Sequence, residues 1–140
     1  MAQARQTVTD DVALRLVVPG DDGLMLRATL RYQPSDPFAV EATFRAADES
    51  ISWVLGRDLL SDGLTMATGD GDVRVWPEAR PGAERDLVMI MLQSPDGRAT
   101  LALDAADLDA FLLRTFRVVP QGEEGRHLDL DTVIGGLLGQ

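Results

Sequence analysis

Apolar residues recur at every second position in segment after segment of this chain, and that period constrains the fold more than any other feature. A period of two places alternate side chains on one side of an extended backbone, so each such segment reads as a strand with one buried face. Residues 11–18 put Val12, Leu14, Leu16 and Val18 on one side. After the turn-forming run Pro19-Gly20-Asp21-Asp22-Gly23, residues 24–32 alternate again, with Leu24, Leu26, Ala28, Leu30 and Tyr32 opposed to Arg27, Thr29 and Arg31. Two such runs around a turn predict a hairpin.

The pattern pauses at Pro34-Ser35-Asp36-Pro37 and resumes over Phe38–Arg45, with Phe38, Val40, Ala42 and Phe44 toward the core. Asp48-Glu49 reads as a turn and Ser50–Leu55 as a fourth strand. Arg57–Asp62 breaks the period of two and predicts about two helical turns, with Gly63 as the stop. Beyond it, residues 65–68 read as a short strand and Gly69-Asp70-Gly71-Asp72 as a tight turn. Val73–Trp76 alternates until Pro77, which should end the strand. Residues 78–85 read as a flexible loop. Leu87–Gln93 is continuously apolar, as a central strand would be. Ser94-Pro95-Asp96-Gly97 is a turn signal, and residues 98–103 pair back. Asp104 is placed to cap a helix, with Asp107 three positions on. Leu108, Phe111, Leu112 and Phe116 recur at helical spacing along its buried stripe.

A last candidate helix, Asp131–Leu138, carries Val133, Ile134, Leu137 and Leu138. Gly135 and Gly136 each weaken it by about 1 kcal/mol relative to alanine. That stripe has two readings: it covers the domain's own core, or it buries against a neighbouring subunit or partner. Runs of antiparallel strands closed by helices predict an α+β fold. At 140 residues the chain fits one domain, 1–140, with a flexible N-terminus over 1–9 and a C-terminal tail over 120–140 that holds the short helix.

With 45% hydrophobic residues, the chain can fill a core. It has no cysteine, which removes disulfides, thiolate metal sites and thiol nucleophiles. No apolar run reaches membrane-spanning length, and the polar start has no apolar stretch of a secretory signal, so a cytoplasmic location is expected. Net charge is −10, from 23 acidic residues against 13 basic ones, all of them arginine. A field of that sign repels phosphate backbones and anionic membrane surfaces.

Catalytic and metal chemistry finds little support. The single histidine, His127, could serve as a hydrolase base, but no Gly-x-Ser-x-Gly elbow accompanies it. On a strand it would share a face with Asp129 and Asp131. One imidazole with carboxylates is nonetheless a poor transition-metal set, so a structural or solvated histidine is preferred. Gly69-Asp70-Gly71-Asp72 could suggest a phosphate cradle or a calcium loop. The first needs a following helix and the second an acidic ladder ending in a bidentate glutamate, so a turn with glycine at positive φ is preferred. Asp58 beside Arg57 reads as a charge pair at a helix start. The aromatic residues are dispersed and mostly on faces assigned to the core, which is not how single-strand binders are built.

Several segments taken together resemble the SsgA-like proteins, actinobacterial regulators of sporulation and cell division. They are Asp36-Pro37-Phe38-Ala39-Val40, then Trp53-Val54-Leu55-Gly56-Arg57-Asp58-Leu59-Leu60 with Gly63, and Gly69–Pro77. Ser94-Pro95-Asp96-Gly97, Phe111-Leu112 with Arg114-Thr115, and His127-Leu128-Asp129-Leu130-Asp131 continue the likeness in order. Within the family the chain is most similar to the SsgB subgroup.

The resemblance implies two antiparallel sheets of seven to eight strands in a barrel-like, Whirly-type arrangement with two to three helices. It implies no enzymatic activity and no cofactor or metal. It also implies recruitment of the tubulin-like GTPase FtsZ to sporulation septa, cooperation with SsgA or another family member, and a homo-oligomer, expected to be a trimer. Partner contacts are expected at Arg57 and Trp76, types suited to interfaces, with core burial the competing reading for Trp76. The tail residues Val133, Ile134, Leu137 and Leu138 are expected to serve the oligomer. A Whirly-type single-stranded nucleic-acid module is the alternative function, although likeness of fold does not carry DNA binding. A small-molecule enzyme ranks third and would need a deep pocket with carboxylates or His127 at its wall.

Overall fold

Seven strands follow one another through the described residues, each beside a neighbour in sequence, and one seam joins the first to the last. The computed structural model describes residues 6–20, 23–79 and 81–127. The strands are β1 (Val8–Leu16), β2 (Leu24–Tyr32), β3 (Ala39–Ala46), β4 (Glu49–Gly56), β5 (Val73–Glu78), β6 (Leu87–Ser94) and β7 (Gly97–Asp104). Helix α1 (Arg57–Gly63) joins β4 to β5, and α2 (Ala105–Val118) follows β7. A 3-10 turn spans Glu124–His127. Every pairing is antiparallel, in the order β4-β3-β2-β1-β7-β6-β5.

The α+β class and the strand number agree with the sequence reading, but the two strand groups do not stand as separate sheets. They meet where β1 pairs with β7 over Leu14↔Leu103, Arg15↔Ala102 and Leu16↔Leu101. Val17 N–H, donating to Thr100 O at 2.8 Å, extends the seam. The result is one curled sheet, a half-barrel with its helices on the inner side. Alternation puts Val12, Leu14, Ala28, Leu30, Tyr32, Val40, Ala42 and Phe44 inward, where they meet Val88, Ile90, Leu101 and Leu103. Helix α2 closes this core with Leu108, Phe111 and Leu112. Its N-cap is Asp104, which accepts from Ala106 N–H at 2.9 Å.

Other local expectations shift for physical reasons. β1 begins at Val8, because Val8 pairs with Tyr32, so residues 8 and 9 are strand rather than flexible terminus. Pro77 does not end β5: it lies within the strand, opposite Val88. β5 is a sheet edge, where a missing N–H costs no ladder bond. The short strand expected at 65–68 reduces to a bridge, Thr68↔Val75. Gly63 lies in α1 rather than beyond it, packed on β5 so closely that a Cβ there would overlap the Val75 side chain. The expected tail helix, Asp131–Leu138, lies outside the described residues.

Candidate functional site

The most elaborate polar cluster is internal. Arg57 begins α1 immediately after β4, and its N–H donates to Phe38 O at 2.8 Å, which extends the β3–β4 ladder by one pair. That anchoring turns the side chain inward, where it is 0% exposed. Nη1 donates to Thr115 O at 3.2 Å and to Val119 O at 2.8 Å, so the guanidinium satisfies carbonyls at the C-terminus of α2. Nη2 donates to Glu124 Oε2 at 2.8 Å. The guanidinium carbon lies 4.2 Å from the Phe116 ring centre and 4.9 Å from that of Tyr32. Among the described residues, Nε alone of its nitrogens has no hydrogen-bond partner.

Glu124 completes the clasp. Its Oε1 accepts from Gly122 N–H at 2.9 Å, which folds residues 120–124 back under the end of α2. The Arg57 hydrogen bond, helped by main-chain donors, holds the Glu124 carboxyl below the usual glutamate range. Burial pushes the Tyr32 phenol up to about 12, with the Arg57 charge pulling the other way. Its hydroxyl donates to Pro37 O at 3.0 Å.

Arg57 is therefore not a partner contact: burial leaves no guanidinium surface to meet one. Asp58 is not its ion-pair mate either, for it stays exposed in the first turn of α1 while Arg57 pairs with Glu124. Sequence reasoning missed Glu124, which lies 67 positions from Arg57. The surrounding Gln121-Gly122-Glu123-Glu124-Gly125 gives no sign of burial.

Trp76 lies on the opposite, outward face of the sheet and is half-buried, across from Met89 in β6. Met89 and Met91 are buried on this face too, at 7% and 8% exposure, because the facing Trp76 and Arg74 of β5 screen them. Beside them opens a groove of about 840 Å³, lined among others by Ala13, Val17, Met25, Leu87, Met89 and Ala102. Val17 and Met25 are exposed at 42% and 55%. Glu78 and Asp104 supply acidic atoms at the groove, and Asp104 is also paired with Arg85 at 2.8 Å. Apolar and charged side chains share this lining, with Arg15, Glu78 and Asp104 among them, and a mixed surface open to solvent suits a protein segment more than a small polar substrate.

The remaining candidates separate into two groups. Gly69 and Gly71 carry φ of 97° and 94° and lead into β5, so that motif is a turn before a strand. Among the described residues no group of three His, Cys, Asp or Glu side chains could hold a metal ion. Among them, too, no helix is long and apolar enough to cross a membrane. The His127 backbone ends the 3-10 turn. Asp129, Asp131 and the stripe Val133, Ile134, Leu137 and Leu138 lie outside the described residues.

Residues 26–124 match the family model described as "Streptomyces sporulation and cell division protein, SsgA". The chain is 47% identical to the sporulation-specific cell division protein SsgB of Streptomyces coelicolor over 135 residues, covering 96% of this chain and 97% of that one. Identity to the SsgB of Salinispora tropica is 46%, covering 94% and 93%. Among solved structures, an SsgA-like sporulation-specific cell division protein from Thermobifida fusca superposes with a TM-score of 0.85 at 38% identity, over 99% of this chain and 100% of that one. An SsgB structure connected with longitudinal cell division during sporulation of Streptomyces coelicolor gives 0.84 at 47% identity, over 89% and 98%.

Proposed function

The chain belongs to the SsgA family of sporulation and cell division proteins, and from that membership we propose that it is a non-enzymatic adaptor that binds FtsZ and recruits it to sporulation septa. The observation that carries this reading is likeness over nearly the whole chain to proteins named for sporulation-specific cell division. The open groove beside Trp76, lined by apolar and charged side chains, supports it, because an adaptor needs an exposed patch that a partner can desolvate.

The adaptor works in the cytoplasm at the division septum, with SsgA or another family member, as a homo-oligomer and in the first instance a trimer. Each copy brings the same groove, so weak contacts to a filament add through multivalency. The tail stripe Val133, Ile134, Leu137 and Leu138 serves the oligomer contact, and Trp76 with Met25 and Leu87 serves the partner contact.

The test is co-sedimentation with the host's FtsZ filaments at physiological salt, with and without GTP. The adaptor should pellet only when filaments form. Met25→Glu, placed on an exposed groove residue, should leave more of it in the supernatant. Wild-type protein that stays in the supernatant at micromolar concentration overturns direct FtsZ binding.

A further inference from the structure

Among the described residues the half-barrel has two free edges, and only one of them is protected. On β5, Pro77 removes a donor, and the Thr68 bridge occupies Val75 through hydrogen bonds of 2.8 and 2.9 Å. Among the described residues, β4 has no such device. Its eight residues hold no proline and a single charged side chain, Glu49, at the first position. Natural sheets usually blunt a long edge, because a row of open main-chain groups is a template for another strand.

The register identifies which groups are open. Arg57 N–H donates to Phe38 O, so the hydrogen-bonded pairs along this antiparallel ladder are those two residues, then Val40↔Leu55, Ala42↔Trp53 and Phe44↔Ile51. The intervening residues Ser50, Ser52 and Val54 turn their N–H and C=O groups away from β3. The short contact between Thr43 Oγ1 and Ser52 Oγ, 2.9 Å, is what a non-hydrogen-bonded pair produces. Among the described residues no backbone hydrogen bond reaches Ser50, Ser52 or Val54 from the open side.

Two further observations describe the occupant. An apolar hollow of about 350 Å³ opens on the inner side of this edge, lined by Leu26, Phe44, Ile51, Trp53, Leu92 and Leu101, among others. Ile51 is 58% exposed there, and Val54 is 66% exposed on the outer side. A strand added to β4 would lay every second side chain beside Ile51 and Trp53, toward the hollow. The ends of the edge are acidic: Asp48 and Glu49 at one, Asp58 at the other. Among the described residues none of these three carboxylates is in an ion pair.

We propose that β4 is a strand-addition site for an extended segment of a partner protein, apolar at alternate positions and carrying basic residues at its ends. Main-chain bonds to Ser50, Ser52 and Val54 supply the register, the hollow selects apolar side chains, and the terminal carboxylates select basic flanks. This surface is separate from the groove beside Trp76 and does not depend on FtsZ as the partner.

The test uses the full chain without FtsZ. The probe is a synthetic peptide alternating valine and threonine with arginine at both ends, and its control carries glutamate there. Amide hydrogen exchange should slow at Ser50, Ser52 and Val54 when the arginine-ended peptide binds. Val54→Pro removes one open N–H without touching the β3 ladder, and should weaken binding by about tenfold. Ser50→Pro is the second variant, should the first not fold. Glu49→Arg with Asp58→Arg should invert the preference between the two peptides.

Unchanged exchange at the three amides under excess peptide overturns the proposal. So does wild-type affinity in a correctly folded proline variant. Protection of the same amides by self-association of the chain alone, seen with light scattering, would assign the edge to a second copy and overturn it as well. Because FtsZ is absent, failure here leaves the adaptor reading standing, and failure of filament co-sedimentation leaves this edge untouched.

Discussion

Replacing Arg57 with methionine should cost far more than removing an exposed arginine, and the structure indicates how much and why. Methionine fills part of the slot between Tyr32 and Phe116 but donates nothing. Val119 O loses the guanidinium donor, Thr115 O keeps only the Val119 N–H, and Glu124 keeps only main-chain donors. Breaking a buried pair by deleting one partner costs about 3–5 kcal/mol, and the surviving Gly122 bond places this case near about 3 kcal/mol. For a chain of this length that is a fall in Tm of about 10 °C.

Denaturant unfolding followed by fluorescence of Trp53 and Trp76 reads the loss directly. Arg57→Met combined with Glu124→Leu should recover part of it, because an apolar pair leaves no buried charge unpaired, and the cycle should give a coupling of about 2 kcal/mol. The pH dependence carries a sign. Glu124 has a depressed folded pKa, so its contribution is present above the unfolded value, about 4.3, and is lost as pH falls through the folded one. The gap between wild type and Arg57→Met should therefore narrow in acid. A variant within about 0.5 kcal/mol of wild type, or single losses that simply add, would refute the clasp.

Two further perturbations test the same interior. Tyr32 is the only tyrosine, so absorbance at alkaline pH reports it alone; it should ionise near 12, not near 10. Its folded pKa is raised and its neutral form is the one stabilised, so stability should fall as pH rises from about 10 to about 12. A tyrosine that titrates near 10 in the folded protein would contradict the burial of the Tyr32 phenol. Gly63→Ala should lower the urea midpoint, by about 1–3 kcal/mol, because its methyl group would enter the space of the Val75 side chain. An unchanged midpoint would mean that α1 can move off β5.

Strand alternation was readable because it is local. Leu24–Tyr32 matches β2 at both ends, and Leu87–Gln93 lies within one residue of β6, since burial on one face imposes the period of two wherever a strand lies. Whether the strands make one sheet or two depends on the three-pair seam between β1 and β7. Neither strand signals that pairing, because the residues that make it are ordinary core-facing and outward-facing positions. Pro77 misled for a related reason: proline ends a central strand but not an edge, and edge position is a property of the whole topology.

The same distinction explains why the sequence points to a surface position for Arg57 and gives no sign of a buried Glu124. An arginine beside an aspartate at a helix start looks solvated, and a glutamate in a glycine-rich segment looks like a loop. Their burial becomes possible only when α2 ends above α1, bringing two main-chain carbonyls, two aromatic rings and a carboxylate to one guanidinium. Once that site is filled, arginine is spent on holding the inner ends of the helices. The surfaces proposed for partners are then those where the sheet itself is open: the groove on its outer face and the edge of β4. On β4 the exposed groups are peptide bonds, which every residue has, so composition cannot mark them and only strand order can.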